Sequence, residues 1–407
     1  MSVNLRQLNA GDLLPVKGIT LGVAEARIKK PGRKDLALIA LADGSSVAAV
    51  FTRNRFAAAP VIVAKNALVS GAQPRALIVN AGCANAATGK DGIARAKETC
   101  EAAAKLLNCR PQQVLPFSTG VIMEDLPLER MVAALPSCLA DLKEDNWLAA
   151  ASAIMTTDTQ AKGASRRAVI NGETITVTGI AKGAGMIHPD MATMLAFIAT
   201  DAPASKSFLD HCVRDAARRS FNRVSVDGDT STNDAFVLMA TAQSRARPVT
   251  DFTSAEGKAL RQAVSEVAVE LAQAIVRDGE GATKFIAITA TGGKDEIECD
   301  RVAFAIAHSP LVKTALFASD PNPGRILAAV GRAGIDDVSR LKLHLGEVLV
   351  AENGTRSSQY REKEGRRAVS GSEIAIRVDL GRGEASATVW TCDFSYDYVR
   401  INAEYRS

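Results

Sequence analysis

Between Thr174 and Thr200 the chain alternates, breaks and then turns apolar, and this succession restricts what it can build. Thr174 to Ile180 sets Thr against Ile and Val with a period of two, the pattern of a strand with two distinct faces. It leads into Lys182-Gly-Ala-Gly-Met-Ile-His-Pro-Asp-Met-Ala-Thr193-Met-Leu, a loop whose glycines accept backbone angles that other residues resist. The run that follows, to Thr200, reads as a buried strand. A small residue, Ala192, stands directly before Thr193. Taken alone, the pair has two readings. It starts a buried strand, or it is a junction where the chain cuts itself and exposes Thr193, joining a hydroxyl nucleophile to its own amine.

Similar elements recur on both sides of this loop. Short apolar runs predict strands at Leu36–Leu41, Ser46–Phe51, Val61–Val63, Ala76–Asn80 and Gln113–Phe117. Three- and four-residue spacing predicts helices at Ile93–Leu107, Leu128–Leu142 and Trp147–Met155. Beyond Thr200, helical patterns at Ser205–Phe221 and Ser254–Val276 flank a strand near Phe236–Thr241. Phe285–Thr291, Leu341–Val350, Ile374–Leu380 and Ala387–Thr391 read as strands, and Val302–Phe317 as a helix. The charged run Arg361–Arg367 reads as an exposed connection, and the basic cluster Arg214–Arg219 as a solvated helix face. Strands and helices mix throughout, with no repeat or low-complexity linker. The expectation is an α/β, or α+β layered, fold.

Several classes of function find no support. A formal charge of +4 on 407 residues gives no reason to invoke nucleic acid. No apolar run reaches roughly 18 residues, so no membrane span is expected. The amino-terminal residues lack the basic-then-apolar pattern of a secretory signal. The seven cysteines are scattered without a Cys-x-x-Cys pair, which fits a reducing cytosol. His188, His211, His308 and His344 lie at no metal-ligand spacing, so no metal is expected. Gly183-Ala-Gly185-Met-Ile-His188 has histidine where a dinucleotide fingerprint needs its third glycine. Gly82 to Asp91 has the wrong spacing for a phosphate loop, and no Gly-x-Ser-x-Gly elbow occurs.

The Lys182–Leu195 segment resembles the autoprocessing segment of the ornithine acetyltransferases, the glutamate N-acetyltransferases of arginine biosynthesis. Further blocks are similar and stand in the family's order. They are Phe-Ser118-Thr119-Gly120-Val-Ile, Met155-Thr156-Thr157-Asp158-Thr159, Ser225-Val-Asp227-Gly228-Asp229-Thr-Ser-Thr-Asn233-Asp234, Asp278-Gly279-Glu280-Gly281-Ala-Thr283-Lys284 and the segment Asp397 to Ser407. The resemblance implies mixed sheets sandwiched with helices, the fold shared with aminopeptidases. It implies cleavage between Ala192 and Thr193 into an α chain, 1–192, and a β chain, 193–407, paired as an α2β2 heterotetramer in the cytoplasm. It implies acetyl transfer from N2-acetylornithine to glutamate through an acetyl ester on Thr193, with no bound cofactor. Some members also accept acetyl-CoA as acetyl donor.

The same resemblance assigns the oxyanion hole to Thr119 and Gly120, and substrate binding to Thr156, Lys182, Thr193, Glu280, Asn402 and Ser407. Unaided, Ser-Thr-Gly reads as an ordinary turn, Lys182 as solvent-exposed and Glu280 as a turn residue. His188 is expected to be structural or to serve processing, and Asp227, Asp229 and Asp234 to take no part in catalysis. The chain departs from the family at Met123, at Asn80-Ala-Gly-Cys-Ala-Asn85 and at Pro323. The rival activity is an N-terminal-nucleophile aminopeptidase or amidase, and the rival class an uncleaved small-molecule-binding protein.

Overall fold

The structure is a computed structural model that describes residues 2–188 and 194–404. Ala192, Thr193 and Ser407, each expected at the site, therefore lie outside the described residues. The chain divides into two compact units. The larger comprises Arg6–Asn222 and Asp229–Ile275; the smaller comprises Met1–Leu5, Arg223–Gly228 and Val276–Ser407.

The strands preceding Thr193 are β1 (Ile19–Ala24), β2 (Leu36–Leu41), β3 (Ser46–Phe51), β4 (Ala76–Cys83), β5 (Val114–Val121), β6 (Lys162–Ile170) and β7 (Glu173–Lys182). After it come β8 (Leu195–Thr200), β9 (Val224–Ser225), β10 (Ala235–Ala240), β11 (Phe285–Gly293), β12 (Lys342–Leu345) and β13 (Val348–Glu352). The last three are β14 (Thr355–Arg356), β15 (Glu373–Asp379) and β16 (Ala385–Cys392). They form three mixed sheets, ordered β1-β2-β4-β5, β3-β10-β8-β7-β6 and β14-β13-β12-β15-β11-β16-β9. The first two belong to the larger unit and the third to the smaller. The expected α/β fold with several mixed sheets and helices is present.

Burial explains the strand sequences. β2, Leu-Ala-Leu-Ile-Ala-Leu, has no polar alternation because both faces are covered. Ala37, Ile39 and Leu41 join a core with Phe117, Phe197 and Val237, drawn from the inner faces of both sheets of the larger unit, and with Trp147 of the helix Trp147–Ala153. Leu36 and Leu38 point the other way, against Cys100, Ala103, Met131 and Leu135 of the helices Gly89–Leu107 and Leu128–Ala140. β15, in the smaller unit, alternates exposed and buried residues instead, since one face alone meets the core.

Four expectations need correction. Val61–Val63 is no strand but part of the helix Ala59–Val69, opened by Pro60 and burying Val61, Ala64 and Ala67 at helical spacing. Val302–Phe317 is divided between the helices Glu296–Ala307 and Pro310–Phe317. Pro310 has no N–H to continue the first, and the Ser309 hydroxyl accepts from the Val312 N–H to cap the second. Leu341–Val350 is a hairpin, turned at Gly346 with φ +55°. The charged run Arg361–Arg367 falls in the helix Glu362–Val369, with acids in its first turn and arginines in its last, as the helix dipole favours.

One close approach fixes how a helix lies on the first sheet. A Cβ at Gly22 of β1 would stand 1.9 Å from the Cys138 carbonyl oxygen. The Cys138 thiol in turn donates to the Gly22 carbonyl at 3.2 Å. Gly22→Ala is expected to force the helix off β1 and cost about 1–3 kcal/mol. Urea unfolding measures this, and an unchanged midpoint would contradict it.

Candidate functional site

Thr119 and Gly120 lie just before the end of strand β5, which runs parallel to β4 with Ala81 opposite Thr119 and Gly82 opposite Gly120. The two glycines let the strands close up here. Gly120 sits at φ +134°, and a Cβ on it would be 2.2 Å from the Gly82 carbonyl carbon and 2.5 Å from the Cys83 nitrogen. No side chain fits, and glycine alone permits backbone this close at such an angle. The sequence reading of Ser118-Thr-Gly as an ordinary turn is replaced by a strand end in a cramped pair.

A buried amide network holds this end. The Ser118 hydroxyl donates to Asn80 Oδ1 at 2.5 Å, and Asn80 Nδ2 donates to the Cys83 carbonyl at 2.9 Å. Asn233 Nδ2 donates to the Ser118 carbonyl at 2.8 Å and to the Ala84 carbonyl at 2.7 Å. Two residues further on, the Ala235 N–H donates to the Met194 carbonyl at 3.0 Å, where β10 begins to run parallel with β8. The Phe117 ring of β5 meets the Phe197 ring of β8 edge-on, with centroids 5.1 Å apart. The residue before Thr119 and the residue after Thr193 are thus tied to one short segment, 233–235.

Lys182 and Thr156 come together. Lys182, the last residue of β7, donates from Nζ to Thr156 Oγ1 at 2.8 Å. Far from being solvent-exposed, it is buried, with 8% of its surface accessible. Behind it lies Asp158, with Oδ1 2.7 Å from Lys162 Nζ and Oδ2 3.9 Å from Lys182 Nζ. Asp158 also accepts from the Thr156 N–H at 3.0 Å and the Gly183 N–H at 2.6 Å. Burial pushes its carboxyl up, but the Lys162 and Lys182 ammoniums and these hydrogen bonds outweigh burial and hold it well below the usual carboxylate range. Gly183, which opens the loop, takes φ +154°, and Met186 takes φ +55°.

In the smaller unit Glu280 and Asn402 come together. Asn402, on the helix Tyr396–Ala403, donates from Nδ2 to Glu280 Oε2 at 2.9 Å. Glu280 is buried in a turn pinned by Asp393, which accepts from the Thr283 and Lys284 N–H groups, each at 2.8 Å. Gly281 follows at φ +68°, where a Cβ would lie 2.4 Å from the Tyr398 nitrogen. The turn therefore presses on the helix that carries Asn402.

Among the described residues no group of three His, Cys, Asp or Glu is placed to hold a metal, and no helix is long and apolar enough to cross a membrane. Burial raises the thiol of Cys83, on β4, and pushes those of Cys100, Cys138 and Cys212 up to about 12, so each stays protonated. Sequence reasoning named neither Asp158, Lys162, Asn80 nor Asn233 as part of the site. Polar residues inside or directly beside apolar strands were the available signal.

The depressed Asp158 carboxyl makes a pH prediction. Its folded value lies below the unfolded one, so its contribution is complete above about pH 4 and is lost as pH falls towards the folded value. Asp158→Asn deprives two buried ammoniums of their shared carboxylate and is expected to cost about 3–5 kcal/mol at neutral pH. Urea unfolding at pH 7 and pH 3 should show the gap between the two proteins narrowing in acid. An equal gap at both would contradict the assignment.

Known proteins are similar over much of the chain. A crystal structure of the arginine biosynthesis bifunctional protein argJ from Bacillus halodurans is 35% identical, with a TM-score of 0.50. It covers 52% of this chain and 100% of its own. The ornithine acetyltransferase of Mycobacterium tuberculosis, solved in complex with ornithine, is 32% identical over 46% of this chain and 98% of its own, with a TM-score of 0.37. The family model described as the ArgJ family matches residues 20–407, and the chain belongs to that family.

Proposed function

We propose that this protein transfers acetyl from N2-acetyl-L-ornithine to L-glutamate through an acetyl ester on Thr193, yielding L-ornithine and N-acetyl-L-glutamate. The observation that carries this reading is pairing. Of the residues that resemblance implies for substrate binding, Lys182 bonds Thr156 at 2.8 Å and Glu280 bonds Asn402 at 2.9 Å. Membership of the ArgJ family supports the pathway, and the ornithine in a relative's crystal supports the substrate class.

In this reading Thr193 Oγ first attacks the Ala192 carbonyl carbon. The C–N bond breaks, an ester forms, and water opens it to a carboxylate on Ala192 and a free amine on Thr193. Asp158, bonded to the Gly183 N–H, steadies the loop before the cut. The ladders flanking the cut keep the fragments together, since β8 pairs with β7 of the first fragment and β10 of the second. The Bacillus halodurans chain is matched along its whole length by about half of this one, as a family chain cut near its middle would be. Two such cleaved molecules make the α2β2 assembly.

The Thr193 amine, with a pKa of about 8, takes the hydroxyl proton as Oγ attacks the acetyl carbonyl. N–H groups at Thr119 and Gly120 bind the oxyanion, each worth about 3–4 kcal/mol in the transition state. The carbonyl C–N bond breaks and the proton passes to the departing ornithine nitrogen. Glutamate's neutral amine then attacks the ester carbonyl, the carbonyl C–Oγ bond breaks, and a proton from the glutamate nitrogen passes through the Thr193 amine to Oγ. Lys182 meets the α-carboxylate of the N-acetylated substrate. A relative described as bifunctional favours a second donor, acetyl-CoA, acylating the same Thr193.

Thr193→Ala is expected to leave one full-length band on denaturing electrophoresis and no exchange, whereas the native chain gives two fragments. For the native enzyme kcat/KM should rise with pH through about 8 as the amine deprotonates. Lys182→Ala should raise KM for N-acetylornithine with kcat little changed. Hydrolysis of N-acetylornithine at a rate indifferent to glutamate would instead mark an amidase. Acetyl-CoA and glutamate, supplied without N-acetylornithine, test the second donor.

A further inference from the structure

We propose that Asn233 is a positioning residue. Its side-chain amide fixes the spacing between the strand end that carries Thr119 and Gly120 and segment 233–235, whose Ala235 N–H holds Met194. This inference rests on the acetyl-transfer reading and concerns how that site is assembled.

The amide is committed on three sides. Nδ2 donates to the Ser118 and Ala84 carbonyls at 2.8 and 2.7 Å, and Oδ1 accepts from the Thr232 hydroxyl at 2.6 Å. The Asn233 N–H donates to the Ser231 hydroxyl at 3.1 Å, and the Thr232 carbonyl accepts from the Ala58 N–H at 2.8 Å, so the backbone behind the amide is also held. Asn233 is buried, which leaves the two carbonyls little water to turn to if the amide were lost.

The two carbonyls sit where the donor strand is made. Ser118 directly precedes Thr119, and Ala84 follows the irregular end of β4 on which Gly120 rests. The Ala84 N–H donates to the Val121 carbonyl at 2.9 Å, so one amide grips both strands at their join. Two residues along the same segment, Ala235 takes Met194 at 3.0 Å as the first rung between β10 and β8. Nucleophile and oxyanion donors come from opposite sides of the expected cut, and segment 231–235 spans them. An oxyanion hole works only when its donors stand at hydrogen-bond range of where the charge develops. Misplacement by about 1 Å costs on the order of 100-fold in rate.

Asn233→Asp keeps the shape but replaces the two N–H donors with a carboxylate oxygen facing two carbonyls. The variant is expected to process more slowly. Counted per fragment beginning at Thr193, its kcat should fall by about 100-fold with KM for N-acetylornithine within a few-fold, because Lys182 and Thr156 are untouched. A merely structural role would lower the unfolding midpoint while leaving kcat per processed molecule unchanged, and that result overturns the inference. Absent exchange in the native enzyme would instead sink the acetyl-transfer reading itself. If Asn233→Asp does not fold, or yields no processed fragment, Thr232→Val carries the test, since it removes only the anchor of the amide oxygen. A several-fold fall in kcat at constant KM supports the proposal, and unchanged kcat overturns it.

Discussion

Strand β8 anchors the chain that follows the glycine-rich loop. Every residue from Leu195 to Thr200 is buried, and the strand is hydrogen-bonded on one side to β7 and on the other to β10. Burying a large apolar side chain contributes about 1.5–3 kcal/mol, so Leu195, Phe197 and Ile198 alone resist displacement strongly. The chain from Met194 onward is therefore fixed by the sheet. A cut of the kind proposed, between Ala192 and Thr193, would remove a covalent link without removing what sets the place of β8. That is the physical condition for a nucleophile created by self-cleavage to be positioned as well as exposed.

The first side of the loop is fixed by charge instead of apolar burial. The buried Asp158 carboxylate meets two ammoniums and two backbone N–H groups, which ties β6, the end of β7 and Gly183 to one side chain. Such a cluster is costly to break and of modest net worth compared with an apolar replacement. Its use here is geometric, because it sets the Lys182 ammonium against Thr156. In the smaller unit Asp393 and Ser395 do comparable work, binding the Glu280 turn to the helix that carries Asn402.

Much of the fold was legible in the sequence wherever an element had a clear period. Thr174–Ile180 alternates because Ile175 and Val177 pack inward while Thr174 and Thr176 do not, and strand β7 contains it. Val61–Val63 misled because three apolar residues fit a strand and a helix equally, and Pro60 decided for the helix. The hairpin at Gly346 and the break at Pro310 were both marked by residues that punctuate chains, yet the apolar runs around them read as continuous. At the site, resemblance drew attention to Thr119, Lys182 and Glu280, whose types alone suggest turns or surface. Asp158 and Asn233 stood in blocks that resemble the family and beside apolar strands, but no local pattern encodes which distant backbone groups they bond.

The most direct test is to supply N-acetylornithine without an acceptor, quench in acid, and map the peptides by mass. The account predicts a peptide whose first residue is Thr193 bearing one acetyl group on oxygen, removed when glutamate is added before the quench. An active preparation in which the chain runs uninterrupted through Ala192 and Thr193, or in which acetyl resides on another residue, would contradict it.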